Sequence, residues 1–506
     1  MNEAMNEKKS RFELSLSSVA FVWSFVLFIA LSAGLLVGVK SWADEATAGA
    51  ADTAAAGSLE ASPTPAVTPV SGRVAYLPKN SDAWFARYQL LKSAKRSIIT
   101  TYFIIEKDVF GEAFLGLLMN KAREGLEVKL MLDARGSFKL AHGLLGKDIL
   151  QDLVEAGVEV RIFNPFVANR LQKAVIVSNH DKILLVDDEY LVVGGRNIAD
   201  RYFLDPSDDP EVYFDADIAV DSVGVANAVR RAFDDEFDLS RSNRVRFERF
   251  GNWYTHTWFL NRAWQAITER MTNESLSADT TRVFPALEDM NSIKGGISYE
   301  IRWSPEQANV SILDNLAYYG WRKEITEELH RELDAAQSEI LMMNPYVILT
   351  PQTKEKLVQA GARGVKIKIV TNSPISSDSY MTQAAFLIDW KKILKEVPGV
   401  EIFVDRGPSK LHAKVFAFDR KRAIVGSFNL DYMSDRINSE IAVEVESDRF
   451  AGEVADAIES RAVNQCQKLS IDKNHFVGPD SLTGYEKVAK KMRKNRILSR
   501  WFRKYL

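Results

Sequence analysis

One cysteine in 506 residues, Cys466, leaves the chain without an internal disulfide framework and without the thiolates of a Cys-based metal cage. Histidine is almost as scarce, with six in all, and His142, His256, His330 and His475 are scattered singly, so no metal-ligand cluster is legible. Charge of one sign is missing too. Lys and Arg number 65 against 68 Asp and Glu, a net of −3, so no global basicity holds a polyanion such as DNA, although a local basic groove stays open. Long apolar runs are absent except at one place. Leu14–Val39 carries no charge over 26 residues, more than the roughly 20 needed to span a bilayer.

Lys8, Lys9 and Arg11 precede that run and only Lys40 closely follows it, a bias that keeps the N-terminus cytoplasmic and sends the rest of the chain to the extracytoplasmic side. A retained anchor is the expectation. A cleaved signal peptide ending near Ser41-Trp42-Ala43, which would leave the protein secreted, is the alternative. The stretch 44–72 is Ala-, Ser-, Thr- and Pro-rich, with too few large apolar side chains to offset ordering entropy, and reads as a flexible linker.

Two of the six histidines sit in one repeated frame. Asn179–Phe203 holds His180, Lys182 and Asp187 in the spacing H-x-K-x4-D, followed by Gly194, Gly195 and Asn197. Leu411–Leu430 holds His412, Lys414 and Asp419, followed by Gly426, Ser427 and Asn429. The His-to-Asn separation is 17 positions in both copies, and the Asp-to-Gly separation is 7. A lone His beside a strand is usually structural, but two copies with matched spacing point to chemistry.

The surroundings repeat as well. Ser97–Ile105 reads as a buried strand, Gly111–Glu124 as a helix and Val128–Leu132 as a second strand. Glu339–Val347, Thr353–Arg363 and Val365–Thr371 repeat that order, which implies βαβ units and a duplication over about 80–240 and 325–450. Further on, Asp215-Ala216-Asp217-Ile218-Ala219-Val220 parallels Asn438-Ser439-Glu440-Ile441-Ala442-Val443, which equates Asp217 with Glu440 as a carboxylate near each His. The expected organisation is 1–43 stub and anchor, 44–72 linker, 73–245 first lobe, 246–324 aromatic-rich connection, 325–465 second lobe and 466–506 basic tail.

H-x-K in an extended segment turns both side chains to one face, because side chains alternate with period two. Two His, two Lys, and Asn197 and Asn429 as amide donors then make a donor-rich, cationic site suited to a phosphate diester. One His can attack phosphorus while the other protonates the leaving alcohol and later deprotonates the incoming one. Asp217 and Glu440 are expected to hold the outer ring nitrogens. Asp187 and Asp419 close the motif and their strands. The mechanism asks for no cofactor and no metal.

On these residues the chain resembles the phospholipase D superfamily, from about 80 to 460. It is most similar to the bacterial cardiolipin synthases, through Phe163-Asn164-Pro165-Phe166, Gly194–Phe203 and Thr371-Asn372-Ser373-Pro374. The resemblance implies an α/β fold of two pseudo-symmetric phospholipase D-type α/β/α lobes in one chain, here preceded by a transmembrane helix, with one metal-independent site between the lobes. It also implies a phosphohistidine intermediate, with His180 as nucleophile and His412 as acid/base. Asp181 and Ser178 depart from the family habit of a neutral residue after the His and a basic one upstream. The expected activity is phosphatidyl transfer to an alcohol. Hydrolysis to phosphatidic acid, a nuclease and a non-enzymatic lipid-binding module are the alternatives.

Two further stretches bear on partners. Gly251–Trp264 is dense in aromatics, fitting either a packed amphipathic helix or a headgroup-zone contact. Lys487–Leu506 has nine Lys or Arg in twenty residues, interleaved with Ile497, Leu498, Trp501 and Phe502, as suits a helix on an anionic membrane surface. A phospholipid substrate and that surface are the expected partners.

Overall fold

A computed structural model describes residues 68–141, 144–165, 177–238, 242–245, 256–273, 275–316 and 322–503. The chain divides into units 1–65 and 66–506, and all described residues belong to the second. The expected anchor Leu14–Val39, His142, Phe166 and the first five residues of Gly251–Trp264 lie outside the described residues. Among the described residues no helix is long and apolar enough to cross a membrane.

The first lobe is built on β1 (Val70–Leu77), β2 (Ser97–Tyr102), β3 (Glu127–Asp133), β4 (Glu159–Phe163), β5 (Lys182–Val186), β6 (Tyr190–Gly194), β8 (Asp217–Asp221) and β9 (Ser242–Arg244), with the short β7 (Tyr213–Phe214) outside the sheet. Their order across the sheet is β1-β8-β6-β5-β2-β3-β4-β9, with only β2–β3 and β3–β4 parallel. The second lobe uses β10 (Ala308–Leu316), with the two-residue β11 (Arg322–Lys323) paired to its end, then β12 (Glu339–Met343), β13 (Lys366–Thr371), β14 (Val400–Asp405), β16 (Val415–Phe418), β17 (Arg422–Gly426), β18 (Ser439–Glu446) and β19 (Cys466–Lys468). Its order is β10-β18-β17-β16-β12-β13-β14-β19, again with two parallel pairings in the same places. The duplication is complete, strand for strand.

Equivalent strands β1 and β10 pair with each other, antiparallel, through Val70–Val310, Ser71–Asn309 and Gly72–Ala308. An antiparallel contact between equivalent elements is self-complementary, as at a twofold axis. Val70–Gly72 are thus strand rather than the end of a linker. The second lobe likewise begins with β10, earlier than 325, because β10 supplies the edge that β18 requires. The helix Thr257–Thr272 is no mere connection either: Leu260, Ala263, Ala266 and Ile267 are buried in the first lobe's core.

Alternation assigns each strand face to a core. On β5, Leu184 and Val186 enter the first lobe's outer core while Ile183 and Leu185 enter a central one. On β16, Phe416 and Phe418 face the second outer core while Val415 and Ala417 join the same central core. The helices Val223–Phe237 and Asp448–Gln465 fill that centre, each capped by a serine, Ser222 and Ser447, that accepts a backbone N–H. The fold is mixed α/β, with two lobes meeting over a shared interior.

The motif aspartates are turn residues. Glu189 N–H donates to Val186 O across a turn whose central residues Asp187 and Asp188 have φ of 57° and 53°. Lys421 N–H donates to Phe418 O across Asp419 and Arg420, at 52° and 55°. Both are tight hairpin turns with two left-handed residues, a conformation Asp tolerates better than most. The carboxylates hold it. Asp187 accepts the backbone N–H groups of Lys95, Arg96 and Ser97, and Asp419 those of Gln337, Ser338 and Glu339. These bonds outweigh partial burial and depress both aspartate pKa values. Asp187→Ala, by orphaning three amides, is expected to cost about 1–3 kcal/mol in urea unfolding. The Asp187 contribution is present above the ordinary carboxylate pKa and disappears as pH falls through the depressed one.

Candidate active site

His180 and Lys182 stand at the start of β5, and His412 and Lys414 just ahead of β16. Each His is placed by the opposite lobe. His180 N–H donates to Ser439 O (3.0 Å), and Ser439 N–H returns a bond to Ser178 O (3.0 Å). His412 N–H donates to Phe214 O (2.7 Å), beside the parallel pairing of β7 with β15 (Lys410–Leu411). The side chains cross in the same way. His180 Nδ1 lies 2.8 Å from Glu440 Oε2, and His412 Nδ1 lies 2.7 Å from Asp215 Oδ2. Both His, both Lys, Asp215 and Glu440 are buried.

Asp215, and not Asp217, is therefore the carboxylate beside His412. The lobes' own registers explain the correction. Gly195 N–H donates to Ala216 O, and Ser427 N–H donates to Ile441 O, so Ala216 is equivalent to Ile441 and Asp215 to Glu440. The shared word Ile-Ala-Val had aligned the halves two residues out of step, an error that period-two alternation conceals. Asp217 does other work: its carboxylate lies 2.8 Å from Arg87 Nη1 and 3.2 Å from Arg196 Nη1, all three fully buried.

The difference between Asp and Glu is matched beneath them. A Cβ on Gly195 would lie 2.1 Å from Asp215 Oδ1, so only glycine lets this carboxylate approach. Its counterpart Ser427 donates its hydroxyl to Glu440 instead. The last turns of the two central helices complete the support. Glu236 accepts from Asn179 Nδ2 and Ser439 Oγ, the residues just before His180 and Glu440. At the equivalent position Arg461 pairs with Asp405 and lies 3.9 Å from the Phe214 ring, just before Asp215.

Lys182 Nζ donates to His180 O (2.5 Å), and Lys414 Nζ lies 2.9 Å from His412 Nδ1. Asn197 is engaged structurally: its Oδ1 accepts Ile104 N–H (3.1 Å) and its Nδ2 donates to Tyr202 OH (3.0 Å). Asn429 Oδ1 is buried with no hydrogen-bond partner. Tyr202 and Tyr213 stack at 4.4 Å, and each stands edge-on to His412 at 5.4 Å, while Phe103 stands edge-on to His180 at 4.9 Å. Asp181 turns away from the face that carries His180 and Lys182, towards Asn179 and Ser439 (3.5 Å each). Sequence reasoning missed Asp215, Glu236, Arg461 and these aromatics. Asp215 was within reach, two residues from the acid chosen.

Burial lowers the pKa of His180 far below the usual histidine value, with Lys182 and Lys414 adding to the effect. Burial and Lys414 lower His412 too, against the opposing pull of Asp215. Burial also brings Lys182 down to about 7, with Lys414 adding to it against the pull of Glu440, and lowers Lys414. The two acids diverge. Burial pushes Glu440 up to about 7, moderated by Lys182, whereas in Asp215 burial is overcome by Lys414 and His412, which hold it at about 2. A bound anion would favour the charged forms of these depressed bases. Elsewhere among the described residues Glu328, Glu332 and Glu444 bring ligand atoms within 4.8 Å of one another. Glu328 and Glu332 are paired with Arg331 and Arg422, and burial pushes Glu444 up to about 8.

Residues 88–237 and 329–462 match the family described as cardiolipin synthase, PLD-like domain. Cardiolipin synthase C of Escherichia coli K12 is 26% identical over 417 residues, covering 74% of this chain and 81% of that protein. A probable cardiolipin synthase of Bacillus subtilis 168 is 26% identical over 366 residues, covering 72% of this chain but only 61% of its own length. The fold is similar to that of a phosphatidylserine synthase from Haemophilus influenzae Rd KW20, with a TM-score of 0.61 at 14% identity, over 87% of this chain and 97% of that one.

Two outcomes follow from the geometry. Asp215→Asn should cost about 2–3 kcal/mol in stability, the linkage value of a carboxylate held at about 2, while lowering turnover roughly a hundredfold or more, whereas Asp217→Asn should cost about 3–5 kcal/mol by stranding two buried guanidiniums. An anion entering the site raises the depressed pKa values of His180, His412 and Lys182. Binding of inorganic phosphate near pH 7 should therefore take up protons, read as calorimetric heats that vary with buffer ionisation enthalpy.

Proposed function

The chain belongs to the cardiolipin synthase family built on the PLD-like domain, and on that footing we propose that it is a phosphatidyltransferase. It cleaves a glycerophospholipid diester and passes the phosphatidyl group to a second alcohol. The observation that carries this is the exchanged pair of His–carboxylate contacts, each of which fixes Nδ1 and leaves Nε2 for a substrate.

His180, which burial, Lys182 and Lys414 keep neutral, attacks phosphorus through Nε2. The P–O bond to the leaving alcohol breaks as His412, paired with the ionised Asp215, gives that oxygen its proton. His412 then takes the proton of the incoming alcohol, whose oxygen displaces His180 from phosphorus. Lys182 and Lys414 stabilise the charge that builds on the phosphoryl oxygens, with the buried Asn429 as a further amide donor and Asn197 acting through Tyr202. Asp187 and Asp419 act through the turns. The apolar run Leu14–Val39 holds the lobes at the extracytoplasmic face of the membrane.

The decisive assay incubates the protein with phosphatidylglycerol and phosphatidylethanolamine vesicles and resolves products by mass. Cardiolipin formed by the intact protein and lost in His180→Ala is the expected result, and phosphatidic acid alone would mean hydrolysis. No His-dependent lipid turnover would overturn the reading and direct attention to single-stranded DNA. Alkaline quenching of the intact protein during turnover of lipid labelled at phosphorus should trap an acid-labile, alkali-stable phosphatidyl-enzyme that is absent from His180→Ala.

A further inference from the structure

The helix Tyr485–Phe502 lies along the helix Tyr380–Glu396, and its contacts fix which side faces out. Met492 and Ser499 are buried, and Ser499 Oγ donates to Met381 O at 2.9 Å. Lys491 Nζ sits 4.9 Å from the Tyr380 ring, and Arg503 Nη1 donates to Asp389 at 2.8 Å. Opposite that seam, Lys487, Lys490, Lys494, Ile497 and Trp501 recur at helical spacing, all exposed. Ile497 is 67% and Trp501 79% exposed. Arg493, Arg496 and Arg500 are exposed beside them, and Glu486 is the only acid in the helix.

Scattered exposed apolar residues are ordinary, and a protein-docking face would present a larger continuous apolar patch. A solvated helix has no use for a Trp and an Ile aligned with its basic row. A chain with a net charge of −3 concentrates cations here, around an amphipathic aromatic, in the pattern that suits lipid headgroups. The helix is also braced to the site. The helix it rests on follows directly from 373–379, where Asp378 accepts Tyr346 OH at 2.7 Å. Asn372, just before, holds the backbone of Leu411 from both sides, at 2.7 and 3.0 Å, next to His412.

We propose that the outward face of Tyr485–Phe502 is the surface on which the folded lobes rest on an anionic phospholipid bilayer, with Ile497 and Trp501 in the headgroup layer. The proposal rests on the reading of the substrate as a phospholipid and adds the face through which it is reached.

Because the only cysteine, Cys466, is buried, Ile497→Cys can carry a single environment-sensitive fluorophore on the full chain, whatever holds its N-terminus. Vesicles of phosphatidylcholine with phosphatidylglycerol should shift its emission to the blue. Phosphatidylcholine alone should not, and high salt should reverse the shift. Adding Lys490→Glu and Lys494→Glu should raise the lipid concentration needed at least tenfold and lower turnover on vesicles, with turnover of short-chain monomeric phosphatidylglycerol unchanged. A silent probe on a protein that still turns over vesicle lipid would overturn the docking face and leave the function standing. A blue shift with no lipid turnover by any variant would support the face and sink the function. A response to single-stranded DNA but not to anionic vesicles would overturn the proposal.

Discussion

Everything at the centre of this molecule depends on an exchange: each lobe carries one imidazole and orients the imidazole of the other. His180 takes its backbone bond from Ser439 and its carboxylate from Glu440, and His412 takes its own from Phe214 and Asp215. Burying such pairs costs desolvation, and a lone buried carboxylate or imidazole would simply neutralise. The shared interior supplies the remaining partners, through Ser427, Glu236 and Arg461, and the β1–β10 contact sets the twofold relation that lets both exchanges close together.

The lobes are equivalent in path but not in electrostatics. The shorter acid sits against Gly195 and is held ionised by Lys414 and His412, whereas the longer one sits on Ser427 and is pushed up by burial to about 7. Two histidines in like environments would compete for the same role. Here one carboxylate keeps its charge opposite His412 while its counterpart does not impose a fixed charge on His180. Such a separation of proton affinities suits the proposed two-step displacement, which needs one acid and one nucleophile.

Most of the fold was legible because a duplication states each element twice. The paired H-x-K-x4-D frames follow from spacing, the βαβ order from alternating strand-like and helix-like stretches, and the site between the lobes from the family resemblance together with one His in each half. The misread pieces share a cause, which is that one dimension does not fix register. Asp217 and Asp215 lie on the same strand face, so period-two reasoning could not separate them, and only the Gly195 and Ser427 backbone bonds do. Asn197 looked like a free donor until Ile104 and Tyr202 were found on it. Glu236 and Arg461 occupy the same helical position with unlike chemistry, an acid in one lobe and a guanidinium in the other, so no motif could link them. Val70–Gly72 were too short a run to be told from the Ala- and Pro-rich stretch before them.

The crossed pairing also makes the site a gauge of how the two lobes are seated. Neither half contains a complete His–carboxylate couple, so neither can act as a slower version of the whole. A small rotation at the central core, leaving both sheets intact, would draw both couples apart at once. Activity should then vanish as a single cooperative event, ahead of any loss of secondary structure, and mutations far from the histidines but between the lobes would be felt first in the chemistry.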